Sequence, residues 1–188
     1  MKKLLFTCMI VCLIATQSFA QTSFGKGDNV VSLGVGIGGN LYSGLSYYSG
    51  IKRMPAITAS YERCIVGSLW DEKSTLGVGG IVGYASAKWE EYGWGWKTTN
   101  IIIGARCALH YSFAPKLDTY AGLMLGYNVV SWKWTGNNSW LQGTASSSSS
   151  VTWSGFVGAR YYFTNAFGAF AEVGYGFSIL NLGLSLKF

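Results

Sequence analysis

Apolar and polar side chains alternate along most of the chain, and this period of two predicts β-strands with one apolar face. In one segment Ile101, Ile103 and Leu109 fall on one face, while Asn100 and Arg106 fall on the other. We identify eight such segments. Their lengths are close to the about 9–11 residues that a tilted membrane strand needs. They span approximately residues 29–39, 54–66, 74–88, 97–113, 117–132, 151–164, 167–178 and 181–188. The pattern predicts an all-β fold.

The more polar face of these segments is rich in glycine and small residues, whereas the other face carries Leu, Val, Ile and aromatic residues. Small side chains suit the narrow interior of an eight-stranded barrel, and an apolar exterior suits lipid. A soluble lipocalin-like barrel would have the reverse arrangement, with its apolar side chains inside. The sequence therefore predicts an eight-stranded antiparallel up-and-down transmembrane β-barrel.

The first residues have the features of a cleaved signal peptide. Lys2 and Lys3 precede an apolar run at 4–15, and Ser18 and Ala20 are small residues at the two positions that a signal peptidase reads. The run is shorter than the roughly 20 apolar residues of a spanning helix, which argues against an uncleaved anchor. We predict a signal peptide at 1–20, cleavage before Gln21, and a barrel domain at 21–188.

The composition agrees with a membrane protein made of strands. Aromatic residues form 16% of the chain and charged residues only 12%, which is about half the charged fraction of soluble domains. Without Lys2 and Lys3, 12 of the 14 basic residues remain beside 8 acidic ones, a net charge of +4. The basic residues are scattered, so no nucleic-acid partner is expected. No metal-ligand spacing, phosphate loop or nucleophile elbow appears, so no cofactor is expected.

The connections alternate in length, which predicts the orientation. The long ones, at 40–53 and 132–150, and a shorter one at 89–96 follow odd segments, whereas those after the second, fourth and sixth segments are tight or modest. Outer-membrane barrels place short turns in the periplasm and long loops outside, so both termini are expected in the periplasm. Aromatic residues are expected at both membrane boundaries. The outer set is Trp89, Tyr92, Trp94, Trp96, Trp132, Trp134, Trp140 and Trp153, and the periplasmic set is Tyr111, Phe113, Tyr161, Phe163, Phe167 and Phe188.

The chain ends inside an alternating strand. Asn181, Gly183, Leu186 and Phe188 match the C-terminal assembly signal of outer-membrane barrels, which consists of a polar residue, a glycine, a hydrophobic residue and a final aromatic residue at this spacing. Together with the signal peptide and the eight segments, this ending resembles the small eight-stranded outer-membrane barrels, the group that includes OmpX and the transmembrane part of OmpA. The resemblance implies location in the outer membrane, insertion by the barrel-assembly machinery, and contact with outer-membrane lipid and lipopolysaccharide.

Four charged residues fall on the predicted lumen face, and their charges sum to zero. They are Glu62, Arg106, Arg160 and Glu172. Arg160 and Glu172 are expected to face each other across the Asn165–Ala166 turn, either directly or one diagonal step apart. Buried charges persist when they are paired, so we predict that this network fills the lumen. The alternative is a proton or ion path through a narrow channel.

The sequence His110-Tyr111-Ser112 resembles the catalytic His-x-Ser pair of outer-membrane lipid A deacylases. In that family the pair faces lipid and asparagine follows the serine. Here Phe113 follows, and both residues fall on the lumen face near the periplasmic end. We therefore predict a protein that is not an enzyme, with a lipid A-modifying enzyme kept as an alternative.

Cys64 and Cys107 remain after removal of the signal peptide. They lie on segments two strands apart, about 9–10 Å, and on opposite faces. A disulfide needs Cα atoms within about 7 Å, so two free thiols are predicted.

The low-complexity stretch at 144–150 is predicted to be a mobile loop. With Trp132, Trp134 and Trp140 nearby, it is a candidate binding surface for an unknown extracellular ligand. The expected function is that of a membrane scaffold or a surface-loop binding and adhesion protein. A narrow ion or small-solute channel and a lipid A-modifying enzyme are the alternatives.

Overall fold

The computed structural model describes residues 23–39, 51–91, 94–134, 145–176 and 178–188. Its eight strands pair antiparallel in chain order, and the last one returns to the first, so the sheet closes into a barrel. The strands are β1 (Asn29–Ile37), β2 (Lys52–Gly67), β3 (Ser74–Glu91), β4 (Trp94–Ala114), β5 (Leu117–Trp134), β6 (Ala145–Tyr162), β7 (Phe167–Tyr175) and β8 (Leu180–Lys187). This confirms the predicted eight-stranded all-β barrel. The predicted signal peptide and Trp140 lie outside the described residues.

The barrel closes where the two terminal strands meet. β1 and β8 pair from Val30 opposite Lys187 to Ile37 opposite Leu180. Asn29 and Phe188 then exchange two backbone hydrogen bonds of 2.9 Å beyond the ladder. Closure of this kind leaves no sheet edge unpaired, which an apolar membrane interior requires.

The two faces of the sheet differ as the alternation predicts. On the outer face Leu33, Ile103 and Leu123 expose 62%, 61% and 66% of their surface, whereas inward-facing Ile102 exposes 2%. A soluble protein does not leave so many large apolar side chains uncovered, and a lipid-facing band does. Throughout the described part of the chain, no α-helix is long and apolar enough to cross a membrane.

The two ends of the barrel differ in their connections. At one end, which we call the turn end, residues 68–73, 115–116 and 163–166 join the strands, and β1 begins beside the end of β8. We call the opposite end the loop end. Five strands, β2 to β6, run further toward the loop end than their predicted segments.

The predicted mobile loop at 144–150 is therefore wrong for Ala145–Ser150, which belong to β6. These residues pair with β5, from Ser150 opposite Asn128 to Ala145 opposite Lys133. The serines have little strand preference of their own, but the long neighbouring strand supplies backbone partners for them, and such pairing overrides propensity. The residues 86–91, 94–99, 131–134 and 145–147 form a sheet that we call the extension.

Inside the barrel the composition changes with height. The loop-end half of the lumen contains an apolar cluster in which Ile81, Ile102, Met124 and Phe156 pack together, beside buried polar residues such as Asn100. The turn-end half holds buried charged side chains on five strands. The fold thus places the charged residues beneath an apolar layer.

Candidate functional site

Four buried side chains near the turn end form a closed ring of ion pairs. Arg160 donates to Asp118 at 3.1 Å and to Glu62 at 3.2 Å. His110 completes the ring, because its Nδ1 lies 2.9 Å from Asp118 and its Nε2 lies 2.8 Å from Glu62. The four residues come from β2, β4, β5 and β6, so the ring crosses the lumen.

The ring geometry fixes the charge of the histidine. Each ring nitrogen of His110 faces a carboxylate oxygen, and only the imidazolium form carries a hydrogen on both nitrogens. Two cations, Arg160 and His110, then alternate with two anions, Glu62 and Asp118. Alternation of this kind is what allows buried charges to be retained.

A second cluster lies next to the ring, toward the loop end. Arg106 pairs with Glu172 at 2.6 Å, and its guanidinium lies 4.2 Å from the centre of the Phe156 ring. Tyr120 and Asn181 also donate hydrogen bonds to Glu172, at 3.0 and 3.3 Å. The three buried acids and three buried bases of the two clusters sum to zero charge.

All four predicted lumen charges lie inside the barrel and are buried. Arg160 and Glu172 lie one diagonal step apart, which is one of the two predicted arrangements, with Arg160 opposite Phe170 and Glu172 opposite Gly158. No hydrogen bond or ion pair joins these two described side chains. Arg160 instead reaches across the lumen to Glu62, and Glu172 reaches Arg106. Long side chains in a narrow barrel can contact strands that are not their neighbours.

The sequence interpretation missed Asp118 and the role of His110 in this network. Asp118 is fully buried, at 0% exposure. The alternating pattern indicates that it faces the lumen, because it lies on β5 two residues before inward-facing Tyr120. It is also one diagonal step from His110. An aspartate at such a position requires a cation nearby.

The residues before β1 close the turn end of the lumen. Phe24 is fully buried and its ring centre lies 4.4 Å from that of His110. The hydroxyls of Ser23 and Ser112 are 2.6 Å apart, and Lys187 donates to the Ser23 carbonyl at 3.0 Å. This short segment therefore covers the ion-pair ring on the side of the turn end.

The free space beside the charged network is small. A cavity of about 20 Å³ lies beside Arg106 and Glu172, which is roughly the space one water molecule needs. The apolar cluster, the charged network and Phe24 occupy the described interior around it.

His110 and Ser112 do not form a catalytic pair in this arrangement. Both nitrogens of His110 are held by carboxylates, and the Ser112 hydroxyl is paired with Ser23. A nucleophile needs a base within hydrogen-bond reach, and the only histidine of the chain is already engaged. The two residues therefore serve packing and hydrogen bonding within the lumen.

The two cysteines lie on opposite faces of the sheet, as their positions in the alternating pattern predict. Cys64 faces the lumen and is buried, whereas Cys107 faces outward and is exposed. β3 lies between their strands, with Gly77 opposite Cys64 and Val78 opposite Cys107.

The predicted outer belt of tryptophans is wrong for most of the described members. Trp96 and its direct partners Trp89 and Trp134 share the face of buried Thr98, which is the inner face. Trp96 is 6.4 Å from Trp89 and 5.4 Å from Trp132 between ring centres. Only Trp153 of the described set faces outward, at 59% exposure. Trp89, Trp96, Trp132 and Trp134 form an aromatic row along the inner face of the extension.

The outer face of the extension and of neighbouring β2 carries a row of four lysines. Register places Lys52 opposite Lys88, Lys88 opposite Lys97, and Lys97 opposite Lys133. All four are exposed, and Lys88 also contacts Glu90 at 2.7 Å. We call these residues the lysine row.

One row of small polar residues separates the lysine row from the lipid-facing apolar band. The last apolar row is Tyr84, Ile101 and Val129, and the row after it is Ser86, Thr99 and Ser131. Each two-residue step advances about 6–7 Å along a strand. The lysines therefore begin roughly 13 Å along the strands beyond the apolar band, which is headgroup depth rather than hydrocarbon depth.

The four residues of the predicted C-terminal signal split between the two faces. Asn181 is buried and binds Glu172, and Gly183 lies against β1. Leu186 and Phe188 are exposed on the outside at the turn end. The structure thus gives the polar residue and the glycine a role in packing, beside any role in recognition.

No protein-family model and no curated protein matches the chain. Solved structures do. The N-terminal β-barrel domain of OprF from Pseudomonas aeruginosa is 13% identical with a TM-score of 0.50. Ail, the attachment invasion locus protein of Yersinia pestis, in complex with the heparin analogue sucrose octasulfate, is 12% identical with a TM-score of 0.53. Each comparison covers 87% of this chain and 99% of the other. The chain therefore has the fold of the small eight-stranded outer-membrane barrels, which confirms the resemblance that its strands and its ending predict.

Proposed function

We propose that the chain is an outer-membrane barrel with a closed lumen that binds an anionic saccharide through the lysine row of its extension. In this proposal the turn end is periplasmic and the loop end is extracellular. The barrel-assembly machinery inserts the exported chain, and no catalytic step is involved. The lysine row is the observation that carries the proposal.

Adjacent lysines on paired strands disfavour each other. Side chains directly opposite in a sheet have Cβ atoms about 4.5–5.5 Å apart, and like charges at that separation destabilise the pair. Three such pairs follow one another from Lys52 to Lys133, and Lys88 also contacts Glu90. A multivalent anion across the row would offset this repulsion.

The depth of the row indicates the kind of anion. It lies beyond the apolar band at the height of sugar and phosphate groups in the outer leaflet, and above it the extension reaches into the medium. Trp132 and Trp134 lie at the same height but on the inner face of the extension, so they do not contribute to this row. Ail, which shares the fold, was solved with a heparin analogue. The shared chemistry is a sulfated or phosphorylated saccharide, from a host surface or from lipopolysaccharide.

Binding to heparin and to lipopolysaccharide by the protein in nanodiscs tests the proposal. The variant K88Q/K97Q/K133Q removes three charges from the row, and K26Q/K73Q/K116Q removes three charges elsewhere, so the two variants have equal net charge. We expect the first to bind at least ten-fold more weakly and with a shallower dependence on salt, and the second to bind as the wild type does.

The two anions distinguish the sources. Preferential binding of heparin favours a host glycan, and preferential binding of lipopolysaccharide favours an anchor in the outer leaflet. Equal losses in both triple variants would show that only net charge matters and would contradict the proposal. So would a wild-type protein that binds neither anion.

A further inference from the structure

A broad depression lies on the lipid-facing side of the barrel, away from the extension. Val78, Ala105 and Cys107 line its floor on β3 and β4, and Gly80 lies between Tyr61 and Ala105 in the register. Larger side chains from β2, β5 and β6 rise on either side, namely Tyr61, Leu123, Leu125 and Trp153. The volume is about 750 Å³, within the ~300–1,000 Å³ range of small-molecule sites. We call this depression the groove.

Two charged residues line the groove, and only Arg63 turns its side chain toward it, because the Arg106 side chain pairs with Glu172 in the lumen. Arg63 projects outward from β2 opposite Val78 and is exposed. Among the residues that the structure describes, it has no hydrogen-bond or ion-pair partner. An arginine on the lipid face of a barrel costs about 2–4 kcal/mol at the midplane, and less near the interface.

The position of Arg63 sets which leaflet its guanidinium can reach. It pairs with Asn29, the first residue of β1, and Asn29 in turn bonds Phe188 at the turn end. Ile65 is the next outward residue toward the turn. A long side chain there can extend to the interface of the leaflet at the turn end, with its aliphatic part against the apolar wall.

We propose that the groove holds one glycerophospholipid of the leaflet at the turn end, with its phosphate on Arg63 and an acyl chain over Gly80, Ala105 and Cys107. The guanidinium is the group in proteins best suited to a phosphate, because it donates two parallel hydrogen bonds. The apolar floor matches an acyl chain. The site is independent of the lysine row, which lies at the other end.

Native mass spectrometry of the detergent-refolded protein titrated with phosphatidylglycerol measures this binding. Two variants address the two halves of the site. R63Q removes the phosphate contact, and G80L fills the floor. A Cβ at Gly80 would meet only the Gly104 carbonyl oxygen at 3.5 Å, an ordinary contact, so the barrel accepts the larger side chain.

Two control variants match these changes. K73Q removes a cation at the same end of the barrel, and A171L adds bulk to the outer face of β7. We expect one tightly bound phospholipid on the wild type, at least five-fold weaker binding in R63Q and G80L, and no change in K73Q and A171L. The mobility of unheated samples in gels verifies that each variant has folded.

Several results would overturn the assignment. If R63Q binds phosphatidylglycerol as tightly as the wild type, Arg63 does not contact the phosphate. If A171L loses as much binding as R63Q and G80L, the protein binds a general lipid layer and has no specific site. Preference for lipopolysaccharide over phosphatidylglycerol would place the ligand in the other leaflet. Failure of the saccharide experiment would leave this site unaffected, because the two sets of variants share no binding residue.

Discussion

His110 links the two acids of the lumen ring. Its two nitrogens contact Asp118 and Glu62, and each of those carboxylates also contacts Arg160. Removal of the imidazolium leaves two buried anions with one cation. An uncompensated buried charge is among the most destabilising changes that one substitution can make.

The substitution H110Q is expected to lower the free energy of unfolding by about 3 kcal/mol. Urea unfolding of the protein in lipid vesicles measures it. The double variant H110Q/D118N removes one anion as well and is expected to recover part of the loss. A single variant within ~0.5 kcal/mol of the wild type would show that the ring does not stabilise the barrel.

Alternation along each strand predicts which residues face the lumen, but it does not predict which side chains they contact there. Alternation is enough to place Glu62, Arg106 and Arg160 inside, because a side chain of a strand has only two faces to choose from. Partner choice depends on how far each side chain reaches across the barrel and on strand stagger. Neither is visible in the sequence, so the contacts of Arg160 with Asp118 and Glu62 could not be predicted.

At the level of elements, the contact between β1 and β8 depends on a glycine. A Cβ at Gly183 would collide with the carbonyl oxygen of Leu33 and would lie 2.6 Å from Gly34 Cα and 2.7 Å from a ring carbon of Phe170. Backbone on one side and a buried ring on the other leave no room to adjust. The glycine of the predicted assembly signal is thus also required for closure.

The substitution G183A is expected to destabilise the barrel by about 2 kcal/mol when it refolds in detergent without any assembly factor. G155A is the matched control, because its Cβ would meet only a Leu123 methyl carbon at 3.7 Å. Normal stability of G183A in detergent, together with failed insertion in cells, would assign Gly183 to recognition and contradict the steric explanation.

The strands were predictable within the membrane and not beyond it. Lipid forces apolar residues onto one face, so the register of Ile101 and Ile103 is visible as alternation. Outside the lipid no such demand acts, and the strand that contains Ser146–Ser150 has the composition of a loop. The extension, and with it the lysine row, is therefore a property of pairing between strands.

For the whole molecule, the fold followed from constraints that act on the entire chain. Backbone groups in a membrane must be satisfied internally, so a chain of alternating strands has to close. The interior of eight strands is only wide enough for side chains, and here three buried acids, three buried bases, an apolar layer and the Phe24 cap occupy it. This arrangement supports the proposal that the protein acts through its outer surface.

Single-channel recording in planar bilayers tests this claim most directly. With its lumen filled by paired charges and covered by Phe24, the purified wild-type barrel is expected to show no stable open state. H110Q, which breaks the ring, is the comparison that shows whether the network closes the path. Stable, reproducible conductance from the wild-type protein would contradict the account.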